Sequence, residues 1–224
     1  TVTDADGGTR VLHARHAVAI STGSDAVIPP IEGLQESAPW TSREATSAEE
    51  LPESLAVIGG GVVAVEMATA YAALGSTVTI IARSGLLGSM EPFAGERVAA
   101  GLKELGVDVR TDTGTTSVTR GDDGVSIVLD DGSTVTATEV LVATGRSPRS
   151  GDIGLDVVGL EAGRWITVDD TLRVPGSDWL YAVGDVNGRV LLTHQGKYQA
   201  RAAGDVIAAR AKGCLLYTSP SPRD

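Results

Sequence analysis

Leu55-Ala-Val-Ile58 runs without a break into Gly59-Gly-Gly61-Val-Val-Ala64, and this stretch decides the fold. A four-residue apolar run behind Pro52 has the pattern of a strand buried on both faces of a parallel sheet. The glycines follow at once with G-x-G-x-x-G/A spacing. From Val62 a helical pattern runs through Glu66, Met67, Tyr71 and Leu74, and Gly75 stands where a C-terminal cap glycine belongs. Thr77-Val-Thr-Ile-Ile81 is a second, β-branched strand. Strand, glycine turn, helix and strand in this order make a βαβ dinucleotide-binding unit. Each position has a physical task. Gly59 permits the tight turn, Gly61 lets the backbone approach a pyrophosphate with no Cβ in the way, and Ala64 keeps helix and strand close. The unpaired N–H groups at the helix start then face the phosphate charge.

The end of the second strand selects the nicotinamide nucleotide. An NAD site usually places a carboxylate there for the ribose 2′-hydroxyl, but this chain has Ala82-Arg83 and no acid until Glu91. A guanidinium suits a 2′-phosphate that a carboxylate would repel, so the reading favours NADPH over NADH. The alternative reading makes Arg83 an ordinary surface charge after a strand. Further along, Glu91–Leu105 is an amphipathic helix with Val98, Leu102 and Leu105 on one face, closed by Gly106. Val107–Arg110 is a strand, and Ser117–Arg120, Val125–Leu129 and Thr134–Ala143 form a β-meander with turns at Gly121–Gly124 and Asp130–Gly132.

Composition limits the partners. The 224-residue chain is 42 % apolar, enough for one large or two small cores. No apolar run approaches the roughly 20 residues of a membrane span. A net charge of −11 argues against nucleic acid or an anionic membrane as the main partner. The single cysteine, Cys214, leaves no disulfide framework, so a cytoplasmic location is expected. Three lysines against fifteen arginines, amid many Ala, Val and Gly residues, read as a gene from a high-GC bacterial genome.

Four segments, taken together, resemble the class I pyridine nucleotide–disulfide oxidoreductases, the group of dihydrolipoamide dehydrogenase and of glutathione, mycothione and mercuric reductases. The first is Ser21-Thr-Gly-Ser24 with Pro29-Pro-Ile-Glu-Gly33, and the second is the glycine fingerprint with Glu66. The third is Ala143-Thr-Gly-Arg-Ser-Pro148. The fourth is Leu180-Tyr-Ala-Val-Gly-Asp185 followed by Leu191-Leu-Thr-His-Gln-Gly196. The resemblance covers residues 1–213. It implies an α/β fold, with a Rossmann-type NAD(P)-binding domain (a parallel sheet and a β-meander, residues 39–150) inserted between two partial FAD-domain segments, residues 1–38 and 151–213.

Under that resemblance Thr22, Gly23, Gly145, Arg146 and Gly184 belong to cofactor-binding turns, and Asp185 hydrogen-bonds the ribityl chain of FAD. Leu191, Leu192, Thr193 and His194 meet the flavin where a helix begins. Glu66 is the catalytic candidate, pairing with a lysine beside the flavin. Read singly, Asp185 also suits a turn, His194 a packed or capping role and Glu66 a solvated helix face. His13 and His16 read as strand-face residues.

The expected function is hydride transfer from NAD(P)H to FAD and on to a disulfide acceptor. Two other readings are a cysteine-free flavoprotein reducing quinones or other small acceptors, and a nucleotide-binding module without activity of its own. The family's first glycine fingerprint and its C-x-x-x-x-C pair would precede Thr1. Its interface domain, which carries a His-Glu pair and makes the homodimer, would follow Gly213. The expected partner is a small-molecule electron acceptor. Residues 214–224, Cys-Leu-Leu-Tyr-Thr-Ser-Pro-Ser-Pro-Arg-Asp, look like a translated sequencing adapter, so Cys214 is assigned no role.

Overall fold

A computed structural model describes residues 1–214; all of the expected adapter segment except the exposed Cys214 lies outside them. In chain order the strands are β1 (Val2–Thr3), β2 (Thr9–Arg10), β3 (Val18–Ile20), β4 (Ser24–Ala26), β5 (Ser54–Ile58), β6 (Thr77–Ile81), β7 (Asp108–Arg110), β8 (Thr115–Gly121), β9 (Gly124–Leu129), β10 (Thr134–Ala137), β11 (Glu139–Val142), β12 (Arg146–Pro148) and β13 (Leu180–Ala182). The helices are α1 (Ser42–Ser47), α2 (Val62–Leu74), α3 (Pro92–Glu104) and α4 (Thr193–Ala211), with two short 3-10 turns at Leu155–Val158 and Gly184–Asn187.

Among the described residues the chain folds as two compact units, residues 26–146 and residues 1–25 with 147–214. It passes between them through β4 and β12, which pair with each other. The division falls earlier in the chain than the expected 38/39 and 150/151. At the first boundary the cause is packing. Leu34 is fully buried among the meander residues, with Ile28 and Ile31 against the same cluster, and the Val118 N–H donates to the Glu32 carbonyl at 2.8 Å. A stretch that buries its apolar side chains against β8 belongs to that unit.

Residues 26–146 are built on a parallel sheet in the order β11-β5-β6-β7. Both faces are apolar, as the continuous run at Leu55–Ile58 requires. Leu55, Val57, Val78, Ile80 and Leu141 face α2 and α3, while Ala56, Ile58, Ile81, Val140 and Val142 face the three-stranded meander β10-β9-β8. The βαβ reading holds closely: β6 spans Thr77–Ile81, and Gly75 caps α2 in the left-handed region (φ 109°), its N–H reaching the Tyr71 and Ala72 carbonyls.

Three local readings change. Thr134–Ala143 is two strands, because the chain turns at Thr138 and sends β11 into the parallel sheet beside β5. Leu105, expected on the buried face of α3, is 51 % exposed, and Leu102 carries the burial instead. His13 and His16 lie in the irregular stretch before β3, on no strand.

Three polar side chains tie down helix ends and faces here. Thr41 and Glu44 form a reciprocal capping box at α1, and those hydrogen bonds from Thr41 hold the Glu44 carboxyl below its ordinary range. The Tyr71 hydroxyl donates to the Ala45 carbonyl at 2.8 Å, with burial pushing its ionisation up.

The second unit holds the β1–β2 hairpin and the parallel pair β3–β13. Its core brings Leu180, Tyr181 and Ala182 of β13 together with Ala202, Ala203 and Val206 of α4. Asp169 organises the turn before β13. Burial raises its proton affinity, but hydrogen bonds from the Thr171 hydroxyl and from the Arg173 and Thr171 N–H groups outweigh that and hold it below the usual range. No described helix is long and apolar enough to cross a membrane.

Candidate functional site

In residues 26–146 the fingerprint glycines sit at the carboxyl ends of the sheet strands, where ligands bind in open α/β folds. Gly59 has φ 137°, and its N–H donates to the Ile81 carbonyl. A Cβ there would lie 2.3 Å from the Ala143 carbonyl oxygen. The glycine is thus needed for a close approach of two backbones as well as for the turn. Gly61 is the N-cap of α2 with φ −82°, and a Cβ on it would meet nothing within 4 Å. That open space, above a helix start with no side-chain cap, fits a pyrophosphate. Ala64 is fully buried one turn in.

Arg83 follows β6 directly and is exposed, and no ion pair engages its guanidinium among the described residues. Arg110, opposite Ile81 on β7, is instead committed to Asp108 at 2.8 Å and to Ser133 at 3.3 Å. Glu66 lies on the exposed face of α2. Gly145 has φ 134° and open space around its Cβ position; its carbonyl accepts from the Val27 N–H, and Arg146 opens β12 beside it.

In the other unit Asp185 lies at the carboxyl end of β13, inside the Gly184–Asn187 turn. Its Oδ2 accepts a hydrogen bond from the Ser24 hydroxyl at 2.7 Å. Gly184 has φ 74°, and its Cα approaches that of Gly196, so the turn packs glycine on glycine against the first turns of α4. Thr22 and Gly23 follow the neighbouring strand β3. The Thr22 hydroxyl donates to the Arg149 carbonyl, and Gly23 (φ 79°) has open space at its Cβ position. Leu191, Leu192, Thr193 and His194 are all exposed at the start of α4, whose N-cap Leu192 offers no side-chain cap. An acceptor carboxylate, an uncapped helix start and open glycine turns suit a polyhydroxylated, anionic cofactor such as FAD.

Two residues of this second site were not anticipated. Gln199, nine-tenths buried on α4, accepts through Oε1 from the Gly184 N–H at 2.8 Å and from Asn187 Nδ2 at 2.8 Å. Asn187 also donates to the Ala182 carbonyl at 3.0 Å. The sequence does carry a signal: Gln199 shares the apolar stripe of Ala202, Ala203 and Val206 at i, i+3, i+4 and i+7. A buried amide in such a stripe has to be paired. Replacing Gln199 with Met leaves the Gly184 N–H unpaired while filling the space, so urea unfolding should show a loss of about 1–3 kcal/mol. An unchanged midpoint would show that water serves the turn equally well.

An α/β chain with a fingerprint glycine turn in one unit and a carboxylate turn at a strand end in the other defines a two-nucleotide flavoprotein class. The pyridine nucleotide-disulphide oxidoreductase pattern matches residues 1–203, and the chain belongs to that family of FAD-dependent oxidoreductases. It is 38 % identical over 213 residues to mercuric reductase of Shigella flexneri, covering 93 % of this chain and 37 % of that protein. It is 35 % identical over 236 residues to dihydrolipoyl dehydrogenase of Chlorobaculum tepidum, covering 98 % and 50 %. Among solved structures, LpdA from Mycobacterium tuberculosis superposes with TM-score 0.81 at 30 % identity, covering 96 % of this chain and 46 % of that one. The HOCl-induced flavoprotein disulfide reductase RclA from Escherichia coli gives 0.77 at 25 %, covering 91 % and 46 %. The chain therefore spans about half the length of these relatives, or less.

Proposed function

We propose that this chain is the NADPH-binding and partial flavin-binding portion of an oxidoreductase that moves reducing equivalents from NADPH through FAD to a disulfide. The supporting observation is the pairing of roles along one chain: an open glycine turn at an uncapped helix start after β5, and a carboxylate held ready at the end of β13. FAD, when bound, supplies the two-electron acceptor and donor chemistry that amino-acid side chains lack.

The chain's own residues do the binding and orienting. Gly61 and the first N–H groups of α2 take the pyrophosphate of the nicotinamide nucleotide, Ala64 lets the helix sit close, and Arg83 takes its 2′-phosphate. Asp185, fixed by Ser24, accepts from a ribityl hydroxyl. Thr22, Gly23, Gly145, Arg146 and Gly184 shape the turns around the cofactors. Leu191 to His194 stand at the uncapped start of α4, whose positive dipole end would face the flavin. Glu66, exposed on α2, is the residue available to pair with a lysine outside this chain. The disulfide would likewise lie outside it, since Cys214 is the only cysteine. The electron acceptor is a small molecule, and the complete protein is a cytoplasmic homodimer.

Asp185→Ala in the complete reading frame that carries this segment provides the test. Losing a charge-assisted hydrogen bond should weaken FAD retention by about 1.5–3 kcal/mol, while loss of the Ser24 contact lowers apoprotein stability by about 1 kcal/mol whether or not flavin is present. Unchanged FAD affinity would reduce Asp185 to a turn-former held by Ser24 and remove the main flavin contact of the proposal.

A further inference from the structure

A cleft of about 190 Å³ opens in the unit formed by residues 1–25 and 147–214, and no role described above uses it. It lies where the chain enters β3, beside Asp178 just ahead of β13 and the last turn of α4. Arg15, His16, Arg210, Asp178 and Tyr181 line it, with Ile207 on the apolar side. The two strands here end in Ile20 and Ala182, and the cleft sits at their opposite, amino ends, away from the Asp185 turn.

The charges in this cleft run against the rest of the molecule. The whole chain carries −11, yet here two arginines and a histidine face one carboxylate. That carboxylate is already engaged: Asp178 Oδ1 lies 3.4 Å from Arg173 Nη1 and 3.5 Å from Arg210 Nη2. Arg15 has no ion pair among the described residues. A second observation points the same way. Tyr181 is 1 % exposed, and its hydroxyl has no hydrogen-bond partner among the described residues although it lines the cleft. That oxygen is not among the fully enclosed, unpaired side-chain atoms, so the small exposed area of Tyr181 is the part of the ring that reaches the open space of the cleft. An unpaired hydroxyl and an unpaired guanidinium lining one cleft offer a donor set for an oxyanion, and the cleft is large enough for one of phosphate size.

We propose that this cleft binds a small oxyanion of the phosphate or carboxylate class, held by the Arg15 guanidinium and the Tyr181 hydroxyl, with Arg210 balancing Asp178 at its edge. The site is independent of the nucleotide and flavin assignments, and its test uses the chain itself without either cofactor. Inorganic phosphate is titrated calorimetrically into the protein at pH 7, with sodium chloride adjusted to keep ionic strength constant, and succinate is run in parallel as the carboxylate arm. One saturable site is expected for at least one of the two anions, and the stronger arm identifies the source chemistry. Arg15→Gln should weaken it about 10-fold or more, as expected for a lost charge-assisted contact. Tyr181→Phe should weaken it about 2- to 10-fold while leaving the melting temperature without anion unchanged or higher, because the hydroxyl has no protein partner to lose. Absence of saturable binding of either anion by the unsubstituted chain overturns the proposal. So does binding that both variants leave intact, which would place the ion elsewhere. A Tyr181→Phe chain that melts clearly lower would also count against it, since the hydroxyl would then have a structural partner.

Discussion

Gly59→Ala is expected to destabilise the 26–146 unit by about 3–5 kcal/mol, the sum of a forbidden backbone angle and a backbone clash. At φ 137° an L-residue is strained whatever the surroundings. Here the surroundings add to it, since the new Cβ would stand 2.3 Å from the Ala143 oxygen and 2.7 Å from its carbonyl carbon. Neither atom can swing aside as a side chain would. Ala143 follows β11 directly, and its N–H is bonded to the Ile58 carbonyl at 2.8 Å. Taking a urea dependence of about 2 kcal/mol/M, the unfolding midpoint should fall by about 1.5–2.5 M. Gly61→Ala is the matched control. With φ −82° and open space around it, that substitution should keep the midpoint within about 0.5 M while lowering affinity for NADPH, because the methyl group occupies the space left for the pyrophosphate. A Gly59→Ala protein as stable as the parent would mean that the close approach to Ala143 relaxes at little cost.

That contrast shows what the sequence made legible and what it hid. The spacing of Gly59, Gly61 and Ala64 after a strand predicts a tight turn into a helix, and β5 and α2 meet there. The reason for Gly59 was only partly readable. Its neighbour Ala143 lies more than eighty residues along the chain, and nothing local announces that the third motif closes over the second. The same limit explains the error at Thr134–Ala143. Alternation of β-branched and small residues continues across Thr138, so periodicity alone reports one strand, while the pairing partner changes from β9 to β5. Residues 26–38 hid for a related reason. The resemblance puts Pro29–Gly33 in the first FAD-domain segment, yet Ile31 and Leu34 supply apolar cover for the meander.

At the carboxylate turn, Asp185 was legible as a motif residue, and Ser24 stood within a quoted segment without a role. Their hydrogen bond spans more than 150 residues and needed the fold to appear. Gln199 was visible in principle as a polar residue in an apolar stripe. Its partners, the Gly184 N–H and the Asn187 amide, were not, because α4 must first dock on the turn. Local chemistry was readable where one segment does the work alone, and unreadable where two distant segments share a hydrogen bond.

Arg83→Glu is expected to reverse the nucleotide preference of the chain. In the parent, Arg83 follows β6 at the ribose end of a βαβ site, exposed and without an ion pair among the described residues. A guanidinium free of competing carboxylates can give a 2′-phosphate charge-assisted hydrogen bonds worth about 1.5–3 kcal/mol, so NADPH should bind about 10- to 150-fold more tightly than NADH. Arg110, the other arginine near that edge, is held by Asp108 and Ser133, so on the proposed reading the discrimination falls to Arg83. Glutamate at the same position repels the 2′-phosphate and can accept from the 2′-hydroxyl of NADH, which changes both affinities in opposite directions. Arg83→Gln separates the two effects. It removes the attraction without adding repulsion, and should bring the two nucleotides to within a few-fold of each other. Fluorescence titration of both nucleotides against all three proteins reads the series directly. If the unsubstituted chain binds NADH as well as or better than NADPH, Arg83 is a surface charge and the specificity lies elsewhere. If it prefers NADPH but Arg83→Glu keeps that preference, a different cation holds the 2′-phosphate.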